Sequence, residues 1–591
     1  MSTAEYATAG ETAEKNAIST FLKVLIGFVW IALFVMHAVK ALGYYSMIAP
    51  DEYYYIADIR HRSYSDAILG NYLFSAIYSL TGLFGSSFLE AGRVLNALLF
   101  MMSAPFLYGV ARQVCDRTVS LFVTFMILAS PFSTYTMYFM PESIYFCGFW
   151  AFFWLLTVKA ATMPLVRMAM FAGAGMGVLS LLKYHGILLM PGLLIFLFLI
   201  APRNNLKEYS RSVCMAGIAA VIAFLFVKLS VGFLFAGTEG LVLTSRLYGD
   251  SVEKNRLSFP SFSLLFNYML FSLRGQLTGL LALFAPVLAM GIDYFVGKAR
   301  SEGNDPLRRI ILLAFCFLAP LMFVTASYTT TLTVWYPEAD PLDITRIPWR
   351  YYNFLFPAFP IVTAGLAATL GRDGRSALSR LIVYGALAAG VVLVFVVGFT
   401  GYFIEGAPDC PELDGMAKSP LFFSAILTLL LCTLLVGIVR PRSAARGYLY
   451  IVLPVLLLGS SCLVQFDIAN RYYQNATAYD VGGIMTKESL DDKCSELTVV
   501  DRVPYKMTKA LIHIDNPETD YVYNNGLELD MSTIKPGKKW LLVFNNVVVP
   551  AQHIKSIFKH DIRVEIPELH ALGEQSDVTF VNRILLIELA R

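Results

Sequence analysis

FLKVLIGFVWIALFVMHAVKA, residues 21–41, decides the fold class. A helix rises about 1.5 Å per residue, so about 20 apolar residues cross the roughly 30 Å hydrocarbon layer of a membrane. This run has that length. It lacks the small-residue cleavage pattern of a secretory signal, and it opens a series of similar runs, so it reads as a first membrane helix. Further apolar runs follow at 92–111, 118–131, 142–158, 165–182, 185–201, 212–236, 277–297, 310–327, 353–370, 381–403, 420–438 and 448–466. The reading is a polytopic α-helical membrane protein of about thirteen helices. The composition agrees: 57% of the 591 residues are hydrophobic and 15% charged, against about 25% charged in ordinary soluble proteins.

Lysine and arginine concentrate in the loops on the cytoplasmic side of membrane proteins. With the N-terminus inside, the inner loops hold Arg112 and Arg117; Lys159 and Arg167; Arg203, Lys207 and Arg211; Lys298, Arg300, Arg308 and Arg309; Arg372, Arg375 and Arg380; and Arg440, Arg442 and Arg446. The opposite orientation would put all of these clusters outside. An odd number of helices then leaves residues 467–591 outside. There the composition changes, with strand-like runs LTVVDRV (497–503), WLLVFNNVVV (540–549) and RILLIEL (583–589). The expected organisation is a membrane domain over 1–466 and a small extracytoplasmic α/β domain over 467–591. The net charge of +3 is spread along the chain, which does not suggest nucleic acid as a partner. Most of the 8 cysteines sit in apolar runs, which argues against a disulfide framework. Cys410 and Cys494 both fall outside under this topology, so a pairing between them is open.

Four segments at the outer edge can carry chemistry. In PDEYYYIADIRHR (50–62), Asp51 and Glu52 stand immediately beyond a membrane helix, where a carboxylate must be solvated, paired or functional. The neighbouring tyrosines are either an interfacial belt or flat walls for a sugar or an isoprenoid. In MPES (140–143), Glu142 is either a helix-start charge favoured by the macrodipole or a partner for a base or sugar hydroxyls. LLKYHG (181–186) joins two apolar runs with almost no linker. Lys183 and His185 therefore lie at the membrane edge, where Lys183 either snorkels to the interface or meets an anion such as a lipid phosphate. TRIPWRYYNFLFP (345–357) sets Arg346 and Arg350 on the outer face, against the usual charge bias; arginine forks bind phosphate in a bidentate way. The long outer segment 237–276, with Arg246, Lys254, Arg256 and Arg274, is expected to hold a short interfacial helix and to act as a binding loop.

At these residues the chain resembles the GT-C glycosyltransferases that use polyprenyl-phosphate sugars, in particular the lipid A aminoarabinose transferases and the protein O-mannosyltransferase superfamily. The resemblance lies in the Asp-Glu pair of PDEYYYIADI after the first helix, in GLFGSSFLEAGRVLNALLF (82–100), in GAGMGVLSLLKYHGILLMPGLL (173–194) and in RYYNFLFPAFP (350–360). It spans about the first 370 residues, and the tail matches nothing comparable. Two departures from the aminoarabinose branch bear on sugar and acceptor: an Arg is missing before the tyrosine at Tyr54, and no Lys-Pro-Pro triplet occurs in 60–80.

The resemblance implies an inverting glycosyltransferase, with a polyprenyl-phosphate-linked sugar as donor and a lipid, glycan or protein as acceptor. The setting would be the outer face of a bacterial cytoplasmic membrane, with membrane lipids as surroundings. Asp51 would be the general base, supported by Glu52. Lys183, Arg350, Arg346, Tyr55 and His185 would line the donor phosphate and lipid. Glu142, Tyr54 and Arg60 would face acceptor or sugar. No cofactor is demanded. A divalent metal is admitted, with His61 and His185 as available ligands. No Walker-type lysine loop or dinucleotide fingerprint occurs, as suits a donor already carried on lipid. Two other classes compete. A transporter or flippase of lipid-linked sugars would show midplane charges on repeated, broken helices. An O-antigen ligase or polymerase would centre on a large outer loop.

Overall fold

The computed structural model describes residues 26–159, 162–201, 205–243, 262–297, 305–335, 343–370, 377–404, 408–471, 476–502, 504–524, 526–544, 547–562 and 582–590. Among them, eight helices are long and apolar enough to cross a membrane, and nine if the bent pair Arg117–Leu128 and Pro131–Met137, 49° apart, is one span. The bend falls at Pro131, whose ring cannot continue the ladder of helix hydrogen bonds. The other apolar runs form the shorter helices Ile26–Val39, Tyr184–Ile200, Asn353–Thr369 and Glu142–Trp154. By length and composition, eight or nine helices among the described residues are candidate crossings, and the helix at Ile26–Val39 is described only from residue 26. The helix expected from residue 277 begins at Phe262 and runs to Gly297. An interfacial helix expected between residues 244 and 261 lies outside the described residues.

Small residues let neighbouring helices meet backbone to backbone. Helix Leu165–Leu182 presents Gly173 and Gly177 to helix Leu206–Ala236. A Cβ on Gly173 would lie 2.0 Å from the carbonyl oxygen of Ala220, and one on Gly177 2.8 Å from Cβ of Val227. Lys183 follows the last residue of helix Leu165–Leu182.

Helix Ala49–Arg60 lies outside the apolar helices. Pro50 stands in its first turn with Asp51 and Glu52, and Arg60 in its last. Proline suits a helix start, and the charges oppose the helix dipole at both ends.

The tail is a five-stranded mixed sheet of order β2-β1-β3-β5-β4. Its strands are β1 (Leu497–Asp501), β2 (Asp520–Tyr523), β3 (Trp540–Val543), β4 (Ile554–Ile562) and β5 (Asn582–Leu589). β1 pairs parallel with β2 (Val499 beside Tyr521) and with β3 (Val499 beside Leu542). β5 runs antiparallel to β3 and β4. Every residue of β1 is buried, as expected of a central parallel strand covered on both faces. Helices Ala478–Leu490 and Pro504–Ile514 cover one face with Tyr479, Met507 and Leu511. Leu529, Val547 and Val549 cover the other. Cys410 and Cys494 are not paired: both are free and buried, the first in the membrane core and the second in the tail core.

Candidate active site

Asp51 and Glu52 are neighbours in sequence and do opposite things. Consecutive helix residues project about 100° apart. Glu52 is fully buried. Its Oε2 accepts from Met47 N (2.7 Å), Ile48 N (2.9 Å) and Ser46 Oγ (3.0 Å), and its Oε1 accepts from Phe139 N (2.8 Å). That carboxylate ties the start of the helix to the chain before it and to the segment leading to Glu142. The Asp51 side chain keeps 36% of its exposure, and Oδ2 lies 2.7 Å from Nη1 of Arg350.

Arg350 is the centre of a buried charge cluster. Besides Asp51, its Nε stands 3.4 Å from Asp409 Oδ1 and 3.8 Å from Glu142 Oε1. Lys183 donates to the same Glu142 oxygen at 3.0 Å. Arg346 donates through Nε to Asp409 Oδ2 at 2.9 Å and pairs with it again through Nη2. Lys183 Nζ also lies 5.9 Å from the ring centres of Tyr145 and Tyr351. Asp51, Glu142 and Asp409 thus face Lys183, Arg346 and Arg350, and the charges balance. Arg350 Nε and Nη1 and Asp409 Oδ1 meet their partners as ion pairs without hydrogen-bond geometry, and Glu142 Oε2 is buried with no hydrogen bond. Native proteins rarely leave such atoms so, and clusters of this kind mark functional sites. Burial alone would raise the Asp409 carboxyl, but the Arg346 and Arg350 guanidinia hold it below the usual carboxylate range. Burial pulls the Lys183 ammonium below its ordinary value, against the pull of Glu142.

Of the residues picked from the sequence, Asp51, Glu142, Lys183, Arg346 and Arg350 meet here. His185 packs against Tyr351, ring centres 4.6 Å apart and planes tilted by 35°. Tyr55 packs edge-on to Phe74 at 5.4 Å. Tyr54 lies beside Tyr53, ring centres 6.0 Å apart. Arg60 is engaged by Asp515 of the tail, and His61 reaches the same carboxylate. The two histidines available to a metal are therefore committed to different neighbours. Among the described residues, no three His, Cys, Asp or Glu side chains are grouped to hold a metal ion.

Asp409 escaped the sequence reading. It sits in PDCPELDG (408–415). Its signal was available: three carboxylates in a short proline-broken stretch between apolar runs have the same warrant as Asp51. Glu412 of that stretch is also buried and accepts from Asn353 Nδ2 at 3.3 Å.

No curated protein matches the chain by sequence. Among solved structures, ArnT from Cupriavidus metallidurans in the apo state is similar at 12% identity and a TM-score of 0.45, covering 96% of this chain and 98% of that one. The same protein bound to undecaprenyl phosphate gives 13% and 0.44 with the same coverage. The archaeal oligosaccharyltransferase AglB from Archaeoglobus fulgidus, in complex with an inhibitory peptide and a dolichol-phosphate, gives 13% and 0.39, covering 87% of this chain and 69% of that one. Residues 65–230, the part of the chain that carries Glu142 and Lys183, match the model of the dolichyl-phosphate-mannose-protein mannosyltransferases, a family of glycosyltransferases.

Proposed function

We propose that the chain transfers one sugar from a polyprenyl monophosphate to a lipid, glycan or protein acceptor, with inversion, at the outer face of the cytoplasmic membrane. The observation that carries this reading is the half-exposed Asp51 carboxylate held 2.7 Å from the buried Arg350, in one cluster with Lys183 and Glu142. The family match over residues 65–230 supports it. The N-terminus is inside and the tail outside in this reading, because that orientation puts the basic loops in the cytoplasm.

The chemistry is a single displacement. Asp51 takes the proton of the acceptor hydroxyl as its oxygen attacks the anomeric carbon. The bond from that carbon to the phosphate oxygen breaks, and polyprenyl phosphate leaves with the electron pair. Lys183, Arg346 and Arg350 stabilise the charge growing on the leaving oxygen, in a site where fixed charges act more strongly than in water. Because the site balances its own charges, an arriving phosphate competes with a carboxylate for each cation. Asp51 is the most exposed of the three competitors. Phosphate binding at Arg350 therefore frees Asp51, and the base becomes available when the donor is in place. Glu52 acts at one remove, by holding the first turn of the Asp51 helix. The transporter reading has no comparable support, since the charges gather beside the segments that link helices.

The test is Asp51→Asn in purified full-length protein, with a panel of undecaprenyl- and dolichyl-phosphate sugars and mass analysis of the product. Loss of a general base lowers turnover by about a hundredfold or more. Turnover near that of the wild type would defeat the assignment.

A further inference from the structure

The tail grips the helix that carries Asp51, at that helix's far end. Asp515 follows tail helix Pro504–Ile514 and adopts a positive φ of 49°, a conformation uncommon for any residue but glycine and best tolerated by Asn and Asp. From there its carboxylate accepts from Arg60 Nε at 2.8 Å and Nη2 at 2.5 Å, the two-pronged geometry that makes arginine pairs directional. His61 Nε2 lies 3.1 Å from the same group. The Arg60 guanidinium is itself laid over the Phe88 ring, 4.3 Å from its centre, so it has little freedom to follow another partner. Nearer the helix start, Tyr53 packs against the tail core, and the Tyr45 ring meets His513 at 5.7 Å. Helix Ala49–Arg60 is thus tied at both ends: by the donors to Glu52 at its start and by Asp515 at its close.

None of these contacts involves the cations of the cluster. Lys183, Arg346 and Arg350 sit on other segments. We infer that the tail is a clamp on the Asp51 helix, and that Asp515 is a positioning residue for the reaction, acting through Arg60. This rests on Asp51 being the base. A helix of 12 residues is a rod of about 18 Å, so a shift at its last turn reaches its first. Misplacing a reacting group by about 1 Å can cost about a hundredfold in rate. The cations keep their own segments, so the loss falls on kcat; with Asp51 drawn away Arg350 loses a competitor for the phosphate, and the donor KM does not rise.

The experiment uses full-length protein in lipid nanodiscs, with Asp515→Gly removing the carboxylate at a φ that glycine accepts, and Asp515→Asn keeping one acceptor oxygen at that φ. For Asp515→Gly the expected result is a fall in kcat of about tenfold or more with a donor KM that is unchanged or lower. Hydrogen exchange should quicken over residues 49–60 and stay unchanged over 165–200. Asp515→Asn should recover part of the loss. An unchanged kcat in Asp515→Gly overturns the inference. So does exchange that quickens across the whole membrane part, which would mark a general loss of folding. If the wild type transfers no sugar from any donor in the panel, the reading of Asp51 as base fails on its own. The clamp is then decided by whether exchange over 49–60 responds to Asp515→Gly.

Discussion

Arg350 meets three carboxylates with one planar fork, and no other side chain can do this. Its Nη1 serves Asp51, while its Nε faces Asp409 and Glu142. A lysine keeps the charge but not the spread of donors. Arg350→Lys should therefore raise the donor KM about tenfold and slow transfer further, read from donor titrations; unchanged constants would show that charge alone suffices at this position. Glu52 calls for the opposite expectation. Four donors converge on it, and a glutamine offers one acceptor oxygen where two now serve. Glu52→Gln should cost about 3 kcal/mol of stability, seen as a lower thermal midpoint in detergent, whatever happens to activity. A normal midpoint with lost activity would return Glu52 to the reaction itself. The difference between these adjacent carboxylates was not legible in the sequence. Charges beside apolar runs are conspicuous because burying them is expensive, and that is how Asp51, Glu142, Lys183, Arg346 and Arg350 were found. Which way each points depends on helix phase and on partners as distant in sequence as Phe139 and Asp409.

Among the elements, helix Leu165–Leu182 shows how packing reaches the site. Gly173 touches the backbone of Ala220, and any side chain there forces the two helices apart. Gly173→Val should lower the thermal midpoint and weaken donor binding together, because Lys183 begins where this helix ends. A variant that loses stability but binds donor normally would show that Lys183 is fixed from elsewhere, through Glu142. The long apolar helices were readable because membrane spans carry their own signature. In the tail, β1, β3 and β5 were readable as apolar runs, whereas β2 and β4 were missed. β2 (DYVY) alternates between half-buried and exposed residues, and β4 opens with the exposed Lys555 and the half-buried Ser556. Both stand at the edges of the sheet, where polar residues discourage further pairing and erase the hydrophobic signal that reveals a strand.

The whole molecule joins a membrane part to its tail partly through charge, and that makes the junction answer to pH. Burial alone would raise the Asp515 carboxyl, but the hydrogen bonds from His61 and Arg60 hold it below the usual carboxylate range. Within the tail, Asp480 is likewise held down against burial by His513 and Lys509; it also caps helix Ala478–Leu490 through Thr477. A carboxylate whose folded pKa is depressed adds stability that is fully present above its unfolded value, about 3.9. That stability is lost as pH falls through the lower folded value. Neither group weakens the junction between about pH 7 and 5, and both do so in the acid range below about pH 4. Hydrogen exchange over residues 49–60 and 504–514, followed from pH 7 downward with the intrinsic rate corrected, should stay protected until that range and then open in both segments together. In Asp515→Asn protection of 49–60 should be lower at neutral pH and change less on acidification, because the titrating group is gone. If protection is instead lost between pH 7 and 5, the carboxylate account of docking fails.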